Sequence, residues 1–138
     1  MASSATARRI CAPGMAEPPN ATWSNCLVVG NDIVMSGVTA GLEPDENGYP
    51  LTTRAQAQRI LGRIVSMVEA AGGTVGGIYK LVVYLTDIND KGVVSEIRRE
   101  FFKEPYPCST LVEIRALAFP ALTIEIDAFA RLDCDLYQ

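Results

Sequence analysis

Apolar positions change their spacing several times along the chain, and each change marks an element. Asn25-Cys-Leu-Val-Val-Gly30 and Ile33-Val-Met-Ser-Gly37 are two short apolar runs separated by Asn31 and Asp32. Gly and Asn tolerate the positive φ of tight turns, so these residues predict a β-hairpin. Residues 41–50 (GLEPDENGYP) are a polar loop dense in turn formers. From Thr52 or Thr53, either of which can cap a helix, the period shifts. Ala57, Ile60, Leu61, Ile64, Val65, Val68 and Ala71 recur at spacings of three and four, up to Gly72 and Gly73. That spacing predicts an amphipathic helix of about five turns. Its other side carries Arg54, Gln58, Arg59, Arg63 and Glu69, read as a solvated face.

The remainder is read in the same way. Ile78 to Leu85 (IYKLVVYL) is β-branched, aromatic and mostly apolar, as a central strand requires. Asp87, Asn89 and Asp90 can cap a second helix, about Lys91 to Phe102, that turns Val93, Val94, Ile97, Phe101 and Phe102 inward and stops before Pro105 and Pro107. Ser109 to Ile114 and Leu122 to Leu132 complete the set as strands. The order β-β-α-β-α-β-β lacks the strict alternation of a doubly wound sheet. It predicts an α+β domain with one sheet and both helices on one face. Residues 1–20, rich in Ala, Ser and Pro, read as a flexible arm, and residues 21–138 as the domain.

Composition narrows the chemistry. At 138 residues, with 49% hydrophobic and 20% charged positions, the chain fits one globular domain. A net charge of −4 argues against binding the phosphate backbone of nucleic acid. No apolar run approaches a membrane span of about 20 residues, so no membrane partner and a cytoplasmic location are expected. The sequence contains no histidine, which excludes Ser-His and Cys-His nucleophile pairs and the usual His-containing zinc sites. Cys11, Cys26, Cys108 and Cys134 form no CxxC pair and read mostly as small buried hydrophobes.

Carboxylates on the last two strands stand out. In Leu122-Thr-Ile-Glu-Ile-Asp-Ala-Phe-Ala130, strand alternation puts Ile124, Ile126 and Ala128 on one face and Glu125, Asp127 and Phe129 on the other. A carboxylate in the middle of a buried strand needs a partner or a purpose. Glu113, on the preceding strand, poses the same question. For each, a solvent-facing position or a structural hydrogen bond is the alternative to chemistry.

These residues also form an ordered set of motifs. Pro107-Cys-Ser-Thr-Leu-Val-Glu-Ile114, then Leu117, then Ile124-Glu-Ile-Asp-Ala128 resemble the C-terminal signature of the Rid (YjgF-type, RidA-like) family of enamine and imine deaminases. Val34-Met-Ser-Gly37, the helix from Gln56-Ala57 to Val68-Glu-Ala-Ala-Gly72, and Tyr84-Leu-Thr-Asp-Ile-Asn-Asp90 resemble its earlier landmarks, so the likeness spans about Trp23 to Arg131. The resemblance implies a chorismate-mutase-like fold, a homotrimer with ligand pockets between subunits, a small-molecule substrate, and no metal or organic cofactor.

Carried over residue by residue, the family's pocket falls on Trp23 as an aromatic wall, on Ser36, Asn89 and Ser109 as hydrogen-bonding groups, and on Glu125 as the acid–base that activates water. The family's arginine, which grips the substrate carboxylate bidentately, is replaced by Ser109, and Arg115 is too far along the strand to substitute for it. The chain therefore resembles a branch lacking that arginine. The resemblance leaves two functions open. One is deamination or hydrolysis of a small enamine, imine or unsaturated amino or keto acid, of which an aminomuconate is one version. The other is a non-catalytic trimer that binds a metabolite. Ribonuclease activity, attached to some relatives, fits poorly with an acidic chain that has no histidine.

Overall fold

The computed structural model describes residues 6–138. It consists of one six-stranded mixed sheet with two helices packed on one face. The strands are β1 (Ala7–Arg9), β2 (Cys26–Val29), β3 (Asp32–Met35), β4 (Ile78–Leu85), β5 (Cys108–Glu113) and β6 (Ile124–Arg131). The helices are α1 (Thr53–Ala70) and α2 (Lys91–Phe101). The spatial order is β1-β2-β3-β6-β4-β5. Neighbours are antiparallel except β4 and β5, which are parallel and joined through α2. The strand assigned as central, β4, does have partners on both sides.

Local chemistry explains each element. Val29 pairs with Asp32 around a two-residue turn whose first residue, Gly30, has φ +61, as a type II′ hairpin requires. The Thr52 side chain caps α1 by accepting from the Ala55 N–H at 3.2 Å. At the other end Gly72 takes φ +96, its N–H bonds the Glu69 carbonyl, and the Gly73 N–H bonds the Val68 carbonyl. That pair of bonds is the Schellman motif, which only a residue free to adopt a left-handed conformation forms without strain.

The core lies between helices and sheet. Ile60, Leu61, Ile64 and Val68 of α1 and Val94 and Ile97 of α2 pack onto Leu81, Val83 and Leu85 of β4 and Ile124, Ile126 and Ala128 of β6. The alternation expected for β6 is therefore met. Gln56, within the apolar stripe of α1, is also fully buried. Its Nε2 donates to the carbonyls of Leu51 and Ala121, and its Oε1 accepts from the Thr123 N–H, each at 3.0–3.1 Å. A buried amide is tolerated when satisfied in this way, and here it ties the start of α1 to the entry of β6.

Three expectations change. The arm contributes an edge strand: Ala7, Arg8 and Arg9 pair with Val29, Val28 and Leu27, and Ile10 and Ala12 join the core. Three exposed residues carry no periodic signal, so β1 could not be read in advance. Residues 1–5 of the arm lie outside the described residues. The polar side of α1 is more than a solvated face, because Arg59 donates to the Ala40 and Glu43 carbonyls and Arg63 to that of Thr39, pinning the loop that precedes the helix. Of the cysteines only Cys26 is buried, and burial, opposed by Arg8, pushes its thiol up to about 11. Cys11 and Cys108 are exposed and Cys134 is partly so. Among the described residues no helix is long and apolar enough to cross a membrane.

Candidate functional site

The face of the sheet without helices carries the polar chemistry. Glu125 pairs across β4 with Tyr84, and Asp127 pairs with Val82. The Tyr84 hydroxyl reaches diagonally to donate to Asp127 Oδ2 at 2.9 Å, and that bond is the largest reason its own pKa is raised. Asp127 thus has a partner.

Glu125 has none of that kind. It is half-buried, and its carboxyl is pushed above the ordinary carboxylate range, first by desolvation and then by the negative charge of Asp127. Two carboxylates side by side on one strand, with only one of them hydrogen-bonded, create this asymmetry.

The backbone beside Glu125 is shaped to receive it. Residues just after β3 run along β6, where Val38 and Ile126 exchange both backbone hydrogen bonds at 2.9 and 3.0 Å. This alignment lays Gly37 directly against the Glu125 carboxylate, and a β-carbon at position 37 would overlap Glu125 Oε2 and crowd Asp127 Oδ1. The glycine matters here because of close approach rather than backbone conformation.

Gly37 also lines a cavity of about 1120 Å³, together with Trp23, Ser36, Met15, Arg63 and Met67. The structure therefore brings Trp23 and Ser36 into one cavity; Glu125 does not line it, and Gly37 is the residue that touches both. Trp23 is half-exposed at its wall. The Ser36 hydroxyl already donates to the Ser24 carbonyl at 2.6 Å, so its remaining capacity toward a ligand is as an acceptor.

Asn89 lies in the short turn Ile88–Asp90 after β4, where its N–H bonds the Asp87 side chain and the residue stays exposed. Glu113 has a structural task at the same place, since its Oε1 accepts from the Ile88 N–H at 3.0 Å and holds that turn against the end of β5. The question raised by Glu113 is answered by the structural alternative.

Ser109 is not with the others. It pairs with Leu81, whose side chain enters the helix-covered core, so Ser109 faces the helices while Glu125 faces away from them. Its hydroxyl accepts from Arg98 Nη1 at 2.6 Å. Ser109, the position where the resemblance expects an arginine, thus has a guanidinium beside it, supplied by α2. Sequence reasoning missed Arg98 because it assigned α2 by its apolar side alone. The available signal was the Arg98-Arg99 pair in the last turn of that helix.

The family model described as endoribonuclease L-PSP matches residues 14–132. The 2-iminobutanoate/2-iminopropanoate deaminase of Escherichia coli is 35% identical over 105 residues, covering 74% of this chain and 80% of its own. Among solved structures, a protein of unknown function from Pseudomonas aeruginosa is 47% identical with a TM-score of 0.92, covering 97% of this chain and 98% of that one. A member of the YjgF/YER057c/UK114 family from Mycobacterium tuberculosis is 25% identical with a TM-score of 0.76, covering 91% and 99%.

Proposed function

This chain belongs to the YjgF/RidA family, the one whose model is described as endoribonuclease L-PSP, and on that premise we propose that it is a deaminase of small 2-imino acids. The observation that carries the proposal is the state of Glu125. It is a half-buried carboxylate pushed up by desolvation and Asp127, set against Gly37, which also lines a cavity of about 1120 Å³. A carboxylate with a raised pKa is a better general base near neutrality than an ordinary one, because its conjugate acid forms more readily.

In the reaction, water adds to the carbon of the C=N bond while Glu125 accepts one of its protons. That proton passes to nitrogen to give the carbinolamine; the hydroxyl proton is then relayed to nitrogen through Glu125, the C–N bond breaks, and ammonia leaves as the C=O bond forms. The 2-imino acid and water thus become the 2-oxo acid and ammonia, and one positioned acid–base group suffices because imines hydrolyse readily. Trp23 walls the cavity and Asn89 offers a side chain at the end of β4. An aminomuconate is a larger substrate for which the same step applies once its enamine has tautomerised to the imine.

The homotrimer is part of this proposal. The helix-free face exposes Val34 (49%), Phe129 (41%) and Val112 (39%) beside Glu125, an apolar surface that a second copy would cover while closing the cavity. The ribonuclease in the family's description finds little support here: the chain has no histidine for general acid–base work on phosphodiesters and a net charge of −4.

The test is ammonia release from 2-iminobutanoate generated in situ. Glu125→Ala and Glu125→Gln should each lose at least about a hundredfold in kcat/KM, the scale of a general acid–base contribution. Release that survives both substitutions removes Glu125 from the mechanism. No release from the unaltered protein with any imino acid or aminomuconate would leave the non-catalytic binder. A strictly monomeric mass in solution would remove the inter-subunit pocket.

A further inference from the structure

Glu125 and Asp127 stand on the same face of β6, and both turn toward one point of the backbone. A β-carbon at Gly37 would overlap Glu125 Oε2 and meet Asp127 Oδ1 at 3.1 Å, so the two carboxylates converge in front of that residue. Like charges this close cannot both ionise freely. One hydrogen bond separates their roles. Tyr84 lies directly opposite Glu125 across β4 and β6, yet its hydroxyl donates to the diagonal neighbour, Asp127 Oδ2, at 2.9 Å. That bond fixes the plane of the Asp127 carboxylate and leaves Oδ1 as the oxygen turned toward Gly37. Among the described residues no hydrogen bond reaches the Glu125 carboxylate.

The other charges on this face reinforce the asymmetry. Lys80 of β4 sits opposite Phe129, roughly 7 Å along the strand from the level of Asp127 and about 13 Å from that of Glu125. Asp32 of β3 and Arg131 of β6 pair with each other at the far end. Tyr79 and Cys108 are the remaining titratable groups nearby on β4 and β5, and residues 36–38 bring none. The nearest cation thus favours negative charge on Asp127, as the bond from Tyr84 does.

We propose that Tyr84 and Asp127 are positioning residues for the base: the Tyr84 hydroxyl holds the negative charge of the carboxylate pair on Asp127, and that fixed charge directs the pair's proton to Glu125. The catalytic meaning of this rests on the deaminase reading, whereas the placement of the proton is a property of the folded protein alone. A hydrogen bond donated to an ionised carboxylate stabilises charge there. Glu125 then holds its proton more tightly, in keeping with a pKa raised first by desolvation and next by Asp127. The step served is the proton relay from water to nitrogen, since a group titrating closer to neutrality both takes and returns a proton at working pH.

Two measurements keep the pair and the reaction apart. Titrate the carboxyl carbons of Glu125 and Asp127 by carbon-13 NMR in the unaltered full-length protein, in Asp127→Asn and in Tyr84→Phe. For the same three proteins, record the pH profile of kcat/KM for ammonia release from 2-iminobutanoate. Asp127→Asn removes the charge at nearly constant shape and leaves one carboxyl, whose titration belongs to Glu125 alone. The Glu125 pKa should fall, and the acid limb of kcat/KM, which requires the ionised base, should move to lower pH with it. Tyr84→Phe keeps the ring and removes only the donor. It should shift both readings in the same direction by less, with Asp127 now responding in the pH window of Glu125. Either variant should lose less than about a hundredfold in plateau kcat/KM, short of the loss from removing the base itself. A tyrosine hydroxyl that merely finds an acceptor on a half-buried face predicts no movement of Glu125 at all. A Glu125 titration that stays in place or rises in either variant overturns the proposal. Should the unaltered protein release no ammonia, the deaminase reading falls, and a Glu125 titration lowered in both variants still upholds the pair.

Discussion

The two faces of the sheet are made from the same strands, residue by residue in alternation, yet they follow different rules. Toward the helices, Ile124, Ile126, Leu81, Val83 and Leu85 are at most 1% exposed and wholly apolar. Away from them, Glu125, Asp127, Tyr84 and Lys80 sit among Leu27, Val82 and half-exposed Val34 and Phe129. Complete burial leaves no room for an unpaired charge, whereas partial burial makes a charge costly enough to shift its pKa and still accessible enough to react. The chemistry proposed for this protein lies where the packing is unfinished.

The largest way to sharpen that comparison is to shorten one side chain on each face. Ile126→Ala should cost about 2–5 kcal/mol in denaturant unfolding, through lost burial plus a cavity. Val34→Ala should cost less than about 1 kcal/mol in an isolated protomer. A loss at Val34 as large as at Ile126 would show that the helix-free face is buried in the assembly.

A smaller effect on stability, but a sharp one on activity, is expected at Gly37. In Gly37→Ala the new β-carbon displaces the end of the Glu125 side chain, which is flexible, so unfolding should change by about 1 kcal/mol or less. Ammonia release should nevertheless fall at least about tenfold, because misplacing the base by a fraction of an ångström spoils its alignment. Unchanged kcat/KM would break the link between Gly37 and the site.

The smallest effect concerns pH. The folded-state pKa of Glu125 is raised, so the folded protein holds this proton more tightly than the unfolded chain does. Its favourable contribution is therefore fully present below the ordinary carboxylate value of about 4.3 and is lost as pH rises through the higher folded value. Glu125→Gln should gain in Tm relative to the unaltered protein as pH climbs through that window, and the gap should close on returning to acid. A gap that does not change with pH would mean that Glu125 titrates normally and that the helix-free face imposes no desolvation.

Much of the fold and part of the site could be read from residue order. Ile78 to Leu85 was legible as a central strand because its run of β-branched and aromatic residues suits no other element, and the Ile124–Ala128 alternation assigned Glu125 to the non-core face. Gln56 was legible only as a helical residue, since its burial depends on carbonyls 5 and 65 positions away. Ser109 shows the same limit from the other side. Its motif position suggested company with Glu125, but the register with Leu81 turns it to the opposite face.

What the sequence by itself determined is the set of elements apart from β1, the family, and which carboxylates fall on the non-core face of β6. These follow from local periodicity and from motif order, which the chain carries without folding. Tertiary structure alone decided that β1 closes the sheet edge, that Gly37 lies against Glu125, that Glu113 serves a turn, and that Arg98 stands beside Ser109. Each of these depends on which strands pair, in what register, and on which side a helix lands, and those choices are made by the packing of distant residues on one another.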